Sequence, residues 1–185
     1  MRRLSVALVH HPVVGRDGAV MTTTVTNLDV HDIARSARTF GVSDYFVVHP
    51  IEAQRALVAR IVAHWTGDGR GLSRIPDREP ALSRVRVVAT LADACTAAGD
   101  AEMWTTAARP RARSISFDDA RAHLRDDGRP VLLVLGTGWG LADDVMERAD
   151  AHLPPILGVD TYNHLSVRAA AAILLDRLVG DRCAR

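Results

Sequence analysis

Two glycine- and asparagine-bearing stretches in the last third of the chain hold the residues best suited to chemistry. The first, Gly136-Thr137-Gly138-Trp139-Gly140-Leu141, follows an unbroken apolar run at residues 131–135. Glycines at alternate positions let the backbone take positive φ and bring amides against a ligand, because no Cβ stands between. The second, Tyr162-Asn163-His164-Leu165-Ser166, leads from Pro155-Ile156-Leu157-Gly158 into an apolar helix that Asn163 or Ser166 can cap through a side-chain oxygen. Both breaks predict backbone N–H donors at strand ends, where a small molecule can be held.

The glycine turn admits other readings. A phosphate-binding P-loop is excluded in practice, because no Lys-Ser or Lys-Thr pair is present and the chain contains no lysine at all, its 23 basic residues being arginines. A dinucleotide fingerprint fits poorly: the spacing is G-x-G-x-G, the turn follows the fifth expected strand rather than the first, and the next helix is short. A purely structural turn stands level with a binding loop until the second stretch is weighed with it.

Histidines are the available bases near neutral pH. His10 and His11 close the first expected strand, His31 lies on the first helix, and His164 lies in the second stretch, which makes it the preferred candidate. The other three suit structural hydrogen bonding. No carboxylate or thiol stands nearby at ligand spacing, so no metal site is expected. Asp29 and Asp32 read as first-turn helix residues facing the dipole.

The elements that must position these residues alternate between strand and helix. Strands are expected at 4–10, 45–49, 85–89, 103–106, 131–135 and, briefly, 156–157, with the threonine-rich 21–26 extended. Helices are expected from Asn27 or Asp29 to Phe40, stopped by Gly41, and at 51–65, 91–98, 116–125, 143–149 and 166–179. Residues 66–80, rich in breakers and charge, read as a surface loop and a candidate lid. This alternation predicts an α/β fold, with a mostly parallel sheet flanked by helices and ligands beyond the carboxyl ends of its strands. The last helix has almost no polar face and must be covered by its own core or by a partner subunit.

A chain of 185 residues, 48% hydrophobic, suits one domain spanning 1–185. The formal charge of +1 gives no case for nucleic-acid binding except through local clusters such as Arg109, Arg111 and Arg113 beyond the fourth strand. No stretch is long enough to span a membrane and no signal peptide precedes the first strand, so a soluble cytoplasmic protein is expected. Cys95 reads as a buried thiol and Cys183 as part of a frayed tail.

Three stretches together resemble the SPOUT, or trefoil-knot, RNA methyltransferases. Ile33-Ala34-Arg35-Ser36-Ala37-Arg38-Thr39-Phe40-Gly41-Val42 is similar to their first motif, Leu133-Val134-Leu135-Gly136-Thr137-Gly138-Trp139-Gly140-Leu141 to the second, and residues 156–171 to the third. The chain looks most like a small bacterial group found alone or fused to a tRNA guanine-N1 methyltransferase. The resemblance implies a C-terminal trefoil knot, with the cofactor region at about residues 103–180, a topology that general connection rules treat as rare. It also implies S-adenosylmethionine as cofactor, held by Thr105, Thr106 and Ala107, by Leu135, Gly136, Thr137, Gly138, Gly140 and Leu141, and by Ile156, Gly158, Tyr162, Asn163, His164, Leu165 and Ser166. A homodimer built through the last helix and an RNA substrate, tRNA or rRNA, follow from the same likeness.

Arg35 matches the first-motif arginine and is expected, with His164, to serve catalysis. Arg35, Arg38, Arg109, Arg111 and Arg113 are the expected RNA-binding set. The chain departs from the better-known relatives in carrying Gly138-Trp139 in place of an acidic residue, and His164-Leu165-Ser166 where an Asn usually precedes a Val-Ser pair. The resemblance implies a methyltransferase acting on RNA. Its rivals are an inactive cofactor-binding RNA module and a nucleotide-dependent oxidoreductase.

Overall fold

The computed structural model describes residues 1–67, 71, 75–109, 111, 114–160 and 162–180. In chain order the first half comprises β1 (Leu4–Val9), β2 (Val13–Val14), β3 (Val20–Met21), α1 (Asn27–Thr39), β4 (Tyr45–Val48), α2 (Glu52–Trp65), a 3-10 turn at Pro76–Arg78, α3 (Glu79–Leu82) and β5 (Val85–Val88). The second half comprises α4 (Leu91–Ala97), β6 (Glu102–Thr105), α5 (Phe117–Arg125), β7 (Val131–Gly136), α6 (Asp143–Glu147), β8 (Ala151–His152) and α7 (Val167–Val179).

Six strands form one parallel sheet in the order β5-β4-β1-β7-β6-β8, while β2 and β3 form a separate antiparallel hairpin. Strands made of unbroken apolar residues require cover on both faces, and alternate side chains of β7 divide accordingly. Val131, Leu133 and Leu135 join Leu4, Val6, Leu8, Tyr45 and Trp104 under α1, α5 and α7. Leu132 and Val134 join Ala7, Val9, Phe46 and Val48 against Ala94 of α4 and Val145 and Met146 of α6. The chain runs from β1 through β4 to the β5 edge, then crosses to β6 and returns to β7 beside β1, so the order reverses between β1 and β7 and the crevice lies at their carboxyl ends.

Local signals set the helix starts. Helix α1 starts at Asn27, one of the two expected positions, with Thr26 capping it by accepting from the Asp29 amide, and Ser166 caps α7 by accepting from the Ala169 amide. Thr90 and Asp93 form a reciprocal capping box on α4. Gly41, at φ +70°, ends the first helical segment as expected, its amide reaching the Arg38 carbonyl at 3.3 Å.

Four sequence expectations change. The short last strand is Ala151–His152, paired with Trp104 and Thr105, and not residues 156–157. Pro154-Pro155 removes two successive amide donors directly after it, which ends the ladder, and Leu157 is 73% exposed. The threonine-rich 21–26 contributes only Met21 to a strand, because residues 13–21 close on themselves as the β2–β3 hairpin. Part of the expected 66–80 loop is ordered as the 3-10 turn and the start of α3, while its residues 68–70 and 72–74, like Cys183, lie outside the described residues. Helix α7 buries one face, Ala171, Leu174, Leu175 and Leu178, against its own core, leaving the other side only partly covered.

Truncating a side chain in the fully buried β7 removes contacts on a face that cannot collapse. Leu133→Ala is expected to cost about 2–5 kcal/mol in urea denaturation. The matching Leu157→Ala change is expected to stay within about 0.5 kcal/mol; a core-sized loss there would restore Leu157 to a buried strand.

Candidate active site at the strand ends

The glycine turn is held from below by a proton-ordered chain. The Thr137 hydroxyl donates to the Val9 carbonyl at 3.1 Å, so the Thr23 hydroxyl must donate to Thr137 Oγ1, and His10 Nδ1–H must donate to Thr23 Oγ1 at 2.9 Å. His10 is therefore the neutral Nδ1–H tautomer. Its ring is 0% exposed, and burial followed by the neighbouring His49 lowers its pKa to about 4, Asp29 pulling weakly the other way.

From above, the β2–β3 hairpin clasps the same turn. The Val14 amide donates to the Gly140 carbonyl at 2.9 Å, and the Trp139 amide donates to the Val14 carbonyl at 3.0 Å. Gly138 sits at φ +61°, where a Cβ would also come within 3.0 Å of the Val14 carbonyl, and a Cβ on Gly136 would meet the Leu141 amide at 2.6 Å. The amides of Thr137, Trp139 and Gly140 are all spent inside the fold, on Val9, Val14 and Thr137 carbonyls, contrary to the expectation that the turn leaves its N–H groups free.

A cavity of about 1070 Å³ opens over this floor. Of the residues expected to hold a cofactor, Thr106, Ala107, Leu135, Gly136, Thr137, Gly138, Gly140, Ile156, Asn163, His164, Leu165 and Ser166 line it. Thr105, Leu141, Gly158 and Tyr162 do not. Thr105 is buried with its hydroxyl bonded to the His152 ring at 2.7 Å, and Leu141 packs into the core beneath the turn. The two stretches meet here: the Trp139 and His164 rings lie 6.1 Å apart, edge to face, and Asn163 Nδ2 donates to the Ala108 carbonyl at 2.7 Å, tying the loop before α7 to the loop after β6.

Of the expected basic set, Arg109 and Arg111 line this cavity, Arg111 also pairing with Asp143 at 3.2 Å. Arg35 instead lines an adjoining cavity of about 430 Å³ with Asp32, Ser36, Thr39 and Phe40; Ser166 and Arg168 line both. Arg38 is exposed and lines neither, and Arg113 lies outside the described residues. The candidate histidines separate likewise. His10 is locked below the floor, His11 bonds the Thr22 hydroxyl at 3.0 Å, and His31 is buried against Arg78 and Trp65, with burial and then the Arg78 charge lowering its pKa. Only His164 of the four lines the cavity.

Sequence reasoning missed Arg16, Thr23, Thr24, Thr26, Asp29 and Arg168, all of which line the cavity. Asp29, 6% exposed, does more than face a helix dipole: it accepts from the Thr26 hydroxyl at 2.6 Å and from Arg168 at 3.2 Å. Arg168 also reaches Asp32 at 3.5 Å and so joins the start of α7 to the start of α1. The run of threonines before α1 was the available signal, but its contact with the glycine turn depends on the hairpin.

Fold, crevice and paired strand-end loops define an α/β protein that holds a ligand beyond a parallel sheet, and comparison with known proteins gives it a family. The chain belongs to the SAM-dependent RNA methyltransferase family, whose profile matches residues 3–180. It is 47% identical over 188 residues to a tRNA (guanine-N(1)-)-methyltransferase of Oleidesulfovibrio alaskensis, covering 97% of this chain and 43% of that protein. A protein of the same name from Nitratidesulfovibrio vulgaris is 45% identical over 184 residues, with 97% and 43% covered. The chain thus spans less than half the length of these curated relatives.

Among solved structures, TrmJ from Z. mobilis ZM4 superposes with a TM-score of 0.62 at 16% identity, covering 98% of this chain and 70% of that one. The SpoU methyltransferase AviRb from Streptomyces viridochromogenes gives 0.54 at 17% identity, covering 96% and 58%. The α/β architecture is shared with both structures. The family the chain belongs to uses S-adenosylmethionine and acts on RNA, which sets the oxidoreductase reading aside. No helix among the described residues is long and apolar enough to cross a membrane.

His10 predicts a pH dependence of stability. The unfolded chain protonates this histidine near pH 6.5 and the folded chain only near 4, so the unfolded state binds the extra proton in between and stability falls as the pH drops across that window. Urea unfolding at pH 7 and 4.5 is expected to show a loss on the order of 2–3 kcal/mol attributable to His10. His10→Gln is expected to be less stable at pH 7 and to lose that part of the slope; an unchanged slope would remove His10 from the account.

Proposed function

We propose that the larger cavity holds S-adenosylmethionine and that the RNA acceptor enters from the side of the smaller cavity, past Arg35. The observation that carries this reading is that three strand-end segments line one chamber, which shares Ser166 and Arg168 with the chamber bearing Arg35. The chamber suits the cofactor on its own terms. The glycine turn brings backbone close where a Cβ at Gly136 or Gly138 would collide, Leu135 and Ile156 offer apolar walls, and Asp29 is the carboxylate of the lining, while Arg16, Arg109 and Arg111 stand ready for the phosphates of RNA.

When bound, the cofactor supplies an electrophilic methyl group on a sulfonium. The chain's contribution is alignment of acceptor and methyl for in-line displacement, a positioning effect worth several kcal/mol. Arg35 holds an RNA phosphate or the acceptor itself, with Arg38, Arg109, Arg111 and Arg113 tracking the backbone beyond it. His164, exposed at the cavity, takes the acceptor's proton where the acceptor carries one. Thr105, Leu141, Gly158 and Tyr162 support the cofactor loops from outside the lining.

The same reading includes the C-terminal trefoil knot over residues 103–180 of a single domain at 1–185, a homodimer through the partly covered side of α7, and a cytoplasmic setting. Its substrate is tRNA or rRNA, tRNA being favoured by the names of the two relatives.

Transfer of labelled methyl to total RNA and to unmodified tRNA tests the activity. Wild type is expected to transfer methyl, and Arg35→Ala to lower kcat/KM by about 10- to 100-fold while the cofactor Kd moves less than about twofold. Cofactor and RNA binding by wild type without transfer would make the chain an RNA-binding module that has lost catalysis.

A further inference from the structure

At the rim of the larger cavity three rings stand together in the open. His164 lies between Trp139, at 6.1 Å and 73°, and Tyr162, at 5.3 Å and 69°. Trp139 is 60% exposed and Tyr162 is 71% exposed, although both are large apolar groups that folding ordinarily covers. The cluster spans both cofactor-loop stretches, so its position is set by the site and not by a stray surface residue.

Positive charge flanks it. Arg16 and Arg109 line the same cavity as Trp139 and His164, and the Asn163 to Ala108 hydrogen bond fixes the ring-bearing loop to the residue beside Arg109. Rings with accessible surface next to arginines are the combination that holds a single-stranded nucleic acid, the bases stacking while guanidinium groups meet the phosphates. Paired bases in a helix are already stacked on their neighbours and cannot offer a face.

We infer that Trp139, His164 and Tyr162 form a stacking platform for one unpaired base of the RNA, next to the acceptor nucleotide, so that the enzyme binds a loop or single-stranded segment and not duplex. The inference rests on the cavity being the cofactor site, since that is what places the acceptor beside the methyl group. The platform itself is defined by RNA binding alone.

The test uses a labelled, unstructured ten-nucleotide RNA and the same sequence locked in a hairpin stem, with fluorescence anisotropy at fixed salt and cofactor binding by calorimetry. Wild type is expected to prefer the unpaired RNA. Trp139→Ala and Tyr162→Ala are each expected to weaken that binding about tenfold, Trp139→Phe to keep it within about twofold, and cofactor affinity to fall less than RNA affinity in the two alanine variants. Tyr162→Ala lies outside the glycine turn and keeps the test informative should Trp139→Ala disturb folding.

The platform is overturned by unchanged or equally reduced affinity for both RNAs, or by absence of RNA binding in wild type. A parallel fall in cofactor affinity overturns it by assigning the rings to the adenosyl group. Loss of a dimer in sedimentation, with RNA affinity intact, overturns it by assigning them to a second copy of the chain. Should wild type bind the unpaired RNA through these rings yet fail to bind S-adenosylmethionine, the cofactor reading of the cavity fails and the platform stands.

Discussion

The parallel pairing of β1 with β7 is the constraint on which everything else depends. Its register runs without interruption from Leu4 opposite Val131 to Val9 opposite Gly136, so that the two central strands end side by side. Because both are buried on both faces, neither can slip by one residue without exchanging its two core layers. The ends of the strands are therefore fixed points. From them Val9 offers a carbonyl to the Thr137 hydroxyl, and His10 and Thr137 both bond Thr23, just past the hairpin.

That hydroxyl chain converts sheet geometry into loop geometry. A glycine turn left to itself samples many conformations, whereas here the hairpin clasps it on one side and a buried, uncharged histidine orders it on the other. The second loop is fixed more lightly, by Ser166 at the head of α7, by Asn163 on the Ala108 carbonyl and by Arg168 between two carboxylates of α1. The site is consequently a junction between a rigid half contributed by the sheet and a half contributed by the start of a helix.

Much of this was legible in the residues. The apolar run before Gly136 announced a buried strand, Gly41 announced a helix stop, and three motifs in order announced the family. What the chain alone concealed was contact at long range. Nothing in Thr23 or Arg16 signals that a short hairpin will fold over a turn more than a hundred residues away. Asp29 read as a first-turn helix residue because its partner, Arg168, lies at the far end of the chain. The misplaced last strand has a local cause: Ile156 and Leu157 have strand-like side chains, but the prolines before them deny the backbone the donors that a ladder needs.

One property of the glycine turn reaches further than its shape. Its amides at 137, 139 and 140 already have carbonyl partners, so the segment arrives preorganised and a guest entering the chamber does not have to freeze it. The entropic toll of association falls instead on the other wall, and selectivity between similar guests comes from there, through side chains and not main chain. A substitution in the outer loop can therefore alter what is bound, while the glycine turn, tied to Val9 and Val14, keeps its shape as the anvil beneath it.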